Sequence, residues 1–256
     1  MLAYGTAHQM TRVLCIVSAL IAFGLVGCIT HDQQPVLPPA GASPQLFAHY
    51  KAGRDSKLAE GWTRGFDMSG VSFNSRKTCT LITPRHVVMA RHFQRPVGAT
   101  ITFHDRSGNV IRRTLEAKVN THTDVAVGLL NMAVPQCYHV YPLPSPEWKE
   151  EDLVGQPIAV TDQKRGLFFH RIAAVRSGFL RMQYDPDEKH GWGKKLVSGD
   201  SGNPSFIIHN GQLVLAETHT TGGPGAGPYY GDTRLQSAIK DAVKELAPAY
   251  RVKIAH

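Results

Sequence analysis

Acidic residues are missing from the start of the chain. Arg12 is the only charged residue ahead of the apolar run from Val13 to Val26, and the run holds no acid. It is too short to span a bilayer comfortably. A charged residue followed by a short apolar core predicts a signal peptide over residues 1–27, not a membrane span. Cysteine is also scarce, with only Cys15, Cys28, Cys79 and Cys137 in 256 residues. That excludes a small disulfide-stapled scaffold. The net charge is +8, but the cations are scattered through Arg112-Arg113, Lys118, Lys164-Arg165 and Lys194-Lys195. No aromatic-interleaved basic stripe occurs, so a nucleic-acid surface is not expected. Attraction to anionic lipid is a secondary consequence of the charge.

The apolar run ends Leu25-Val26-Gly27-Cys28. This resembles a bacterial lipobox. The resemblance implies acylation of Cys28, cleavage just before it, and attachment to the membrane through that lipid. Ile29, where an acid would favour the inner membrane, points to the outer membrane or its periplasmic face. From residue 28 to about 60, Pro35, Pro38, Pro39, Gly41, Ser43 and Pro44 interrupt any regular pattern and predict a flexible tether. Cys15 goes with the signal and Cys28 with the lipid. Cys79 and Cys137 then remain in an oxidising compartment, and a disulfide between them is the expectation.

The rest of the chain reads as short strands. The expected segments are 77–83, 87–90, 99–103 and 125–130 in one half. In the other they are 157–161, 167–175, 179–182, 205–208 and 213–218. Ser107-Gly108-Asn109, Ser177-Gly178 and Asn210-Gly211 are the turn signals between them. Strands at this spacing predict an all-β barrel or sandwich. Pro142, Pro144 and Pro146 mark a crossover between the halves, 61–145 and 146–256. Leu235, Ala238, Ile239, Ala242, Val243 and Leu246 recur at helical spacing, with Thr233 and Gln236 as a capping box and Pro248 near the end.

Three segments carry the chemistry. The run Ser198-Gly199-Asp200-Ser201-Gly202-Asn203-Pro204 surrounds a serine with residues that free the backbone. Upstream, Val87-Val88-Met89-Ala90-Arg91-His92 ends an apolar strand on a histidine, and Asp124 heads Val125-Ala126-Val127. A serine hydroxyl needs a base, and the base needs a partner that fixes its tautomer. A buried acid at the head of an apolar strand needs a partner of its own. His86 competes with His92 for the role of base.

These segments resemble Gly-Asp-Ser-Gly-Gly-Pro, Val-Val-Thr-Ala-Ala-His and Asp-Ile-Ala-Leu of the chymotrypsin/trypsin-like serine peptidases, in the same chain order. The resemblance covers roughly residues 65 to 246. It implies a double β-barrel with a C-terminal helix and peptide or protein substrates, with no cofactor and no metal. It also implies His92, Asp124 and Ser201 as the catalytic triad, with the N–H groups of Gly199 and Ser201 as the oxyanion hole. The chain departs from the pattern at Phe93, where many members carry a bridging cysteine, and at Arg91 and Asn203, which replace smaller residues. No Ile-Val-Gly-Gly-like segment lies near residues 45–75 to pair with Asp200 after cleavage, which points to the bacterial branch.

By the same resemblance Lys195, Thr218, His219 and Thr220 fall near the primary specificity pocket. No acid sits at its base, so an acidic or neutral side chain is expected there rather than Arg or Lys. An inactive protease-like binding module is the alternative. An unrelated esterase fold is disfavoured because no Gly-x-Ser-x-Gly occurs.

Overall fold

The computed structural model describes residues 38–39, 41–184 and 192–256. The expected signal peptide, Cys28 and the tether as far as residue 37 lie outside them. The described elements begin with a short ribbon, β1 (Phe47–His49) and β2 (Lys57–Leu58). Five strands follow: β3 (Thr80–Thr83), β4 (His86–Ala90), β5 (Thr100–His104), β6 (Val110–Asn120) and β7 (Val125–Leu130). A one-turn helix, α1 (Glu150–Leu153), leads to the second set. This set is β8 (Pro157–Thr161), β9 (Leu167–Arg176), β10 (Phe179–Gln183), β11 (Pro204–His209), β12 (Gln212–Thr218) and β13 (Ala226–Pro228). Helix α2 (Thr233–Leu246) closes the described elements.

Two curled antiparallel sheets result, ordered β3-β4-β7-β6-β5 and β12-β11-β8-β9-β10-β13. Together with the C-terminal helix they make a chymotrypsin-like double β-barrel, all-β in class. The strand periodicity explains why there are two barrels and a seam. Val87, Met89, Ala126 and Leu130 fill the first barrel, while Val88, Val125 and Val127 on the opposite faces pack into the seam. In the second barrel Ile158, Val160, Ile207 and Val214 point inward, and Ala159, Phe206 and Leu215 face the seam. Strands buried on both faces read as unbroken apolar runs, as these do.

Strand β6 lies outside the expected set. It exposes Arg112 and Glu116, leaves Arg113 and Lys118 half-buried, and Leu115 is its one fully buried residue. It still pairs with both β5 and β7, and a register shift between Leu115 and Ala117 bends it. The Asn210-Gly211 turn adopts φ 49° and 72°, the left-handed pair that a two-residue hairpin needs.

Three expectations are corrected. The tether is shorter than residues 28–60: Leu46 is buried, and Leu46 and Pro44 pair with the β8–β9 hairpin end at 3.0 and 2.8 Å. The helix cap is Asp232, whose Oδ1 accepts from Leu235 N at 2.9 Å. Asp is a strong N-cap acceptor, and Gln236, expected in the cap, donates instead to Pro144 O at 2.6 Å. Cys79 and Cys137 do not pair. Cys79 points with Leu81 into the first barrel, whereas Cys137 is exposed.

Candidate active site

Strand pairing brings His92 and Asp124 together. His92 follows β4 in a short 3-10 turn, and Asp124 directly precedes β7. The two strands are neighbours, with Ala90 opposite Val125. Arg91 N continues the ladder to Asp124 O at 2.9 Å. The Asp124 carboxylate then holds His92 twice: Oδ1 accepts from the His92 amide at 2.8 Å and Oδ2 from ring Nδ1 at 2.6 Å. An ionised carboxylate only accepts, so Nδ1 is the donor. In the neutral ring the lone pair is therefore on Nε2, where a general base needs it. The Arg91 guanidinium is engaged by Thr121 O at 3.3 Å. Arg91, His92, Gln94, His122, Thr123 and Asp124 line an open basin beside the pair.

His86 is a core residue. It is fully buried in β4, its Nδ1 lies 2.7 Å from Thr83 Oγ1, and its ring meets Tyr250 edge-on. Burial, helped by Arg85, pushes its pKa down to about 4.

The Ser201 loop abuts the same corner. A β-carbon on Gly202 would sit 3.5 Å from Ala90 N, two residues before His92. Thr78 Oγ1 donates to Asn203 Oδ1 at 3.0 Å, joining the first barrel to the loop. Asn203 Nδ2 donates in turn to Asp200 O at 3.0 Å. Within the loop the amides divide into two sets. Asp200 N, Gly202 N and Asn203 N donate to Val197 O, His219 O and Asp200 O. The N–H groups of Gly199 and Ser201 donate to no acceptor among the described residues. Two unspent amides flanking a bound one suit an oxyanion. Among the described residues no hydrogen bond joins Ser201 to His92.

Asp200 is buried and satisfied by backbone alone. Its Oδ1 accepts from Gln163 N at 3.1 Å and its Oδ2 from Val197 N at 2.7 Å. Both carboxylate oxygens thus have a backbone donor.

The expected pocket residues divide. Lys195 is exposed and Thr220 half-buried. Thr218 is sealed, with its hydroxyl 3.0 Å from Tyr230 OH. His219 is sealed too. Its Nδ1 lies 2.7 Å from Glu217 Oε1 and its Nε2 3.0 Å from Thr161 O. Burial opposes the charge on His219, but the Glu217 carboxylate and the Thr161 carbonyl outweigh it and raise the pKa. Nε2 is thus held internally, and Nδ1 faces the Glu217 carboxylate. Leu196 is buried between these segments, and its backbone exchanges hydrogen bonds with Gly223 at 2.8 and 3.0 Å.

Sequence reading missed Thr78, Gln163 and Glu217 as partners of the site. Thr78 and Gln163 act through contacts between distant segments, which leave no local pattern, while Glu217 stands two residues from His219. Among the described residues no group of three His, Cys, Asp or Glu side chains is placed to hold a metal ion. No protein-family model matches the chain, and no curated protein is found as a relative.

Proposed function

We propose that this chain is a serine endopeptidase acting at the bacterial cell envelope. One observation carries the reading: the Asp124 carboxylate grips both the amide and Nδ1 of His92, beside a serine loop with two unspent amides. In the proposed mechanism His92 Nε2 takes the Ser201 proton as Oγ attacks the substrate carbonyl. The amides of Gly199 and Ser201 receive the negative charge that develops on the carbonyl oxygen. His92 returns the proton to the leaving amine, and an acyl group stays on Ser201 until water, activated by the same base, releases it. Asp124 holds the ring and stabilises its charged form throughout. Export and a lipid on Cys28 belong to the same proposal and rest on the first 28 residues of the sequence.

A second reading is an inactive binding module on this fold, and the lack of a Ser201–His92 hydrogen bond favours it. Such bonds are often long before substrate binds, so the His92–Asp124 geometry weighs more heavily. A fluorophosphonate probe separates the two. Covalent labelling mapped to Ser201, lost in Ser201→Ala, is expected of the peptidase. A folded wild type that stays unlabelled would leave the binding module.

A further inference from the structure

The turn between β8 and β9 has no part in the triad, yet it grips the nucleophile loop and its supports at each step. Thr161 Oγ1 donates to Pro204 O at 2.8 Å, and Thr161 O faces His219 Nε2. Asp162 is buried, and its carboxylate accepts from Lys164 N and Gly166 N and pairs with Lys194. Gln163 reaches furthest. Its amide donates to Asp200 Oδ1 and its side-chain Nε2 to Ser198 O, each at 3.1 Å. Its carboxamide also lies against the Gly199 α-carbon, where a β-carbon would sit 2.7 Å from Oε1.

We propose that Gln163 is the positioning residue of the oxyanion hole, and that its double grip keeps the hole assembled without any cleavage of the chain. This rests on the serine-peptidase reading. The physical argument concerns one peptide unit. In a trans peptide the carbonyl of Ser198 and the N–H of Gly199 point in opposite directions. Holding the carbonyl on Gln163 therefore aims the N–H away from Gln163, where it meets no protein acceptor. Gly199 stands at φ 97°, a conformation that only glycine adopts readily. Glycine also tolerates the opposite sign of φ, so the same residue that permits the hole lets the unit flip over. A lock is needed, and Ser198 O on Gln163 supplies it. The backbone of Gln163 meanwhile fixes Asp200, the next residue, so both ends of the unit hang from one side chain and its own amide.

The test uses the full chain with Gln163→Met, which keeps length and removes polarity, and Gln163→Glu, which keeps shape and removes the donor. One neutral hydrogen bond shifts a two-way equilibrium by roughly 5–10-fold, and an oxyanion donor is worth about 10²–10³ in rate. The acylation rate constant with p-nitrophenyl acetate should therefore fall roughly tenfold, with its binding constant unchanged. Phosphonylation of Ser201 by a fluorophosphonate should slow in parallel. The low-field proton resonance of His92 Nδ1 should not move, which separates this role from general damage to the site. If Gln163→Met does not fold, Gln163→Glu carries the measurement. Wild-type rates in a folded variant, or a fall in binding with no change in acylation, would overturn the assignment. A wild type unreactive at Ser201 would instead overturn the peptidase reading, and this inference with it.

Discussion

Thr78 and Asn203 lie 125 positions apart in the chain and meet in a buried hydrogen bond of 3.0 Å between the first barrel and the Ser201 loop. Asn203 passes the connection on to Asp200 O. The residue that looked like a departure from a glycine-rich loop is thus a bracket between barrels. Thr78→Val and Asn203→Ala should each destabilise the fold by about 1–3 kcal/mol, since each leaves a buried partner unsatisfied. A double-mutant cycle from urea unfolding should show coupling of roughly 1 kcal/mol. Additive effects would mean that the bond contributes nothing.

Asp124→Asn tests the tautomer argument. The asparagine oxygen can still accept from the His92 amide. Its NH₂ then replaces the oxygen that faced Nδ1, and a donor there calls for a lone pair on Nδ1. The proton moves to Nε2 and the base is lost. Activity should drop by about 10⁴, as in enzymes with this arrangement, with little change in stability. Retention of more than a tenth of wild-type acylation in a folded variant would show that Asp124 does not set the ring.

Most of the architecture was legible before any coordinates. Val125–Leu130 and Pro157–Thr161 match their expected bounds, because apolar runs between turn residues leave little choice. The pairing of His92 with Asp124 was legible for a related reason: each sits at the end of such a run. Strand β6 was not, because its outward charges hide the alternation. The Cys79–Cys137 expectation failed because cysteine counting ignores which face of a strand carries the thiol. His219 was read as a pocket residue because its distant partner Thr161 and its neighbour Glu217 could not be seen to close around it.

Two buried histidines, His170 and His86, make acid the destabilising direction, whereas His219, where burial is outweighed by Glu217 and the pKa is raised, acts the other way. His170 accepts from Lys194 N at 3.0 Å through Nε2 and so donates from Nδ1 to Pro224 O at 2.7 Å. Burial comes first in pushing its pKa from 6.5 down to about 4. The unfolded chain therefore binds this proton at a higher pH than the folded one. The stabilisation is complete above the unfolded value and is lost as pH falls toward 4. The full shift is worth on the order of 3 kcal/mol. His86, lowered in the same way, adds to the slope. Unfolding free energy should fall between pH 7 and pH 5, and His170→Gln should flatten that slope while lowering stability at pH 7. An unchanged slope would assign the acid sensitivity elsewhere.

The cysteines should differ in kind. Burial pushes the Cys79 thiol up to about 12, and Cys137 is exposed. Iodoacetamide mapping of the native full chain should modify Cys137 and spare Cys79 until the protein unfolds. A disulfide-linked peptide containing both would reverse the correction made above. Metabolic labelling with a palmitate analogue in a bacterial host should mark the wild type and not Cys28→Ser. Equal labelling of both would remove the lipid anchor.

The last expectation concerns what the site cleaves. His219 and Glu217 are sealed together in the interior, 2.7 Å apart, so neither side chain is offered to a substrate. Leu196 packs into the core of the second barrel, and its backbone bridge to Gly223 ties the flanking segments together. Lys195 is the remaining cation there, and it is exposed. An exposed cation favours a carboxylate by about 1 kcal/mol or less, and salt screens it. A neutral side chain should therefore dominate at the cleaved position in a peptide library. Acidic residues should gain roughly fivefold at most, and that gain should vanish in high salt and in Lys195→Ala. Arg or Lys should be poorly cleaved, because Glu217 is fully buried beside His219 and out of reach as a counter-charge. A strong acidic preference that survives salt would show that His219 opens to substrate, and dominant cleavage after Arg or Lys would show that Glu217 does.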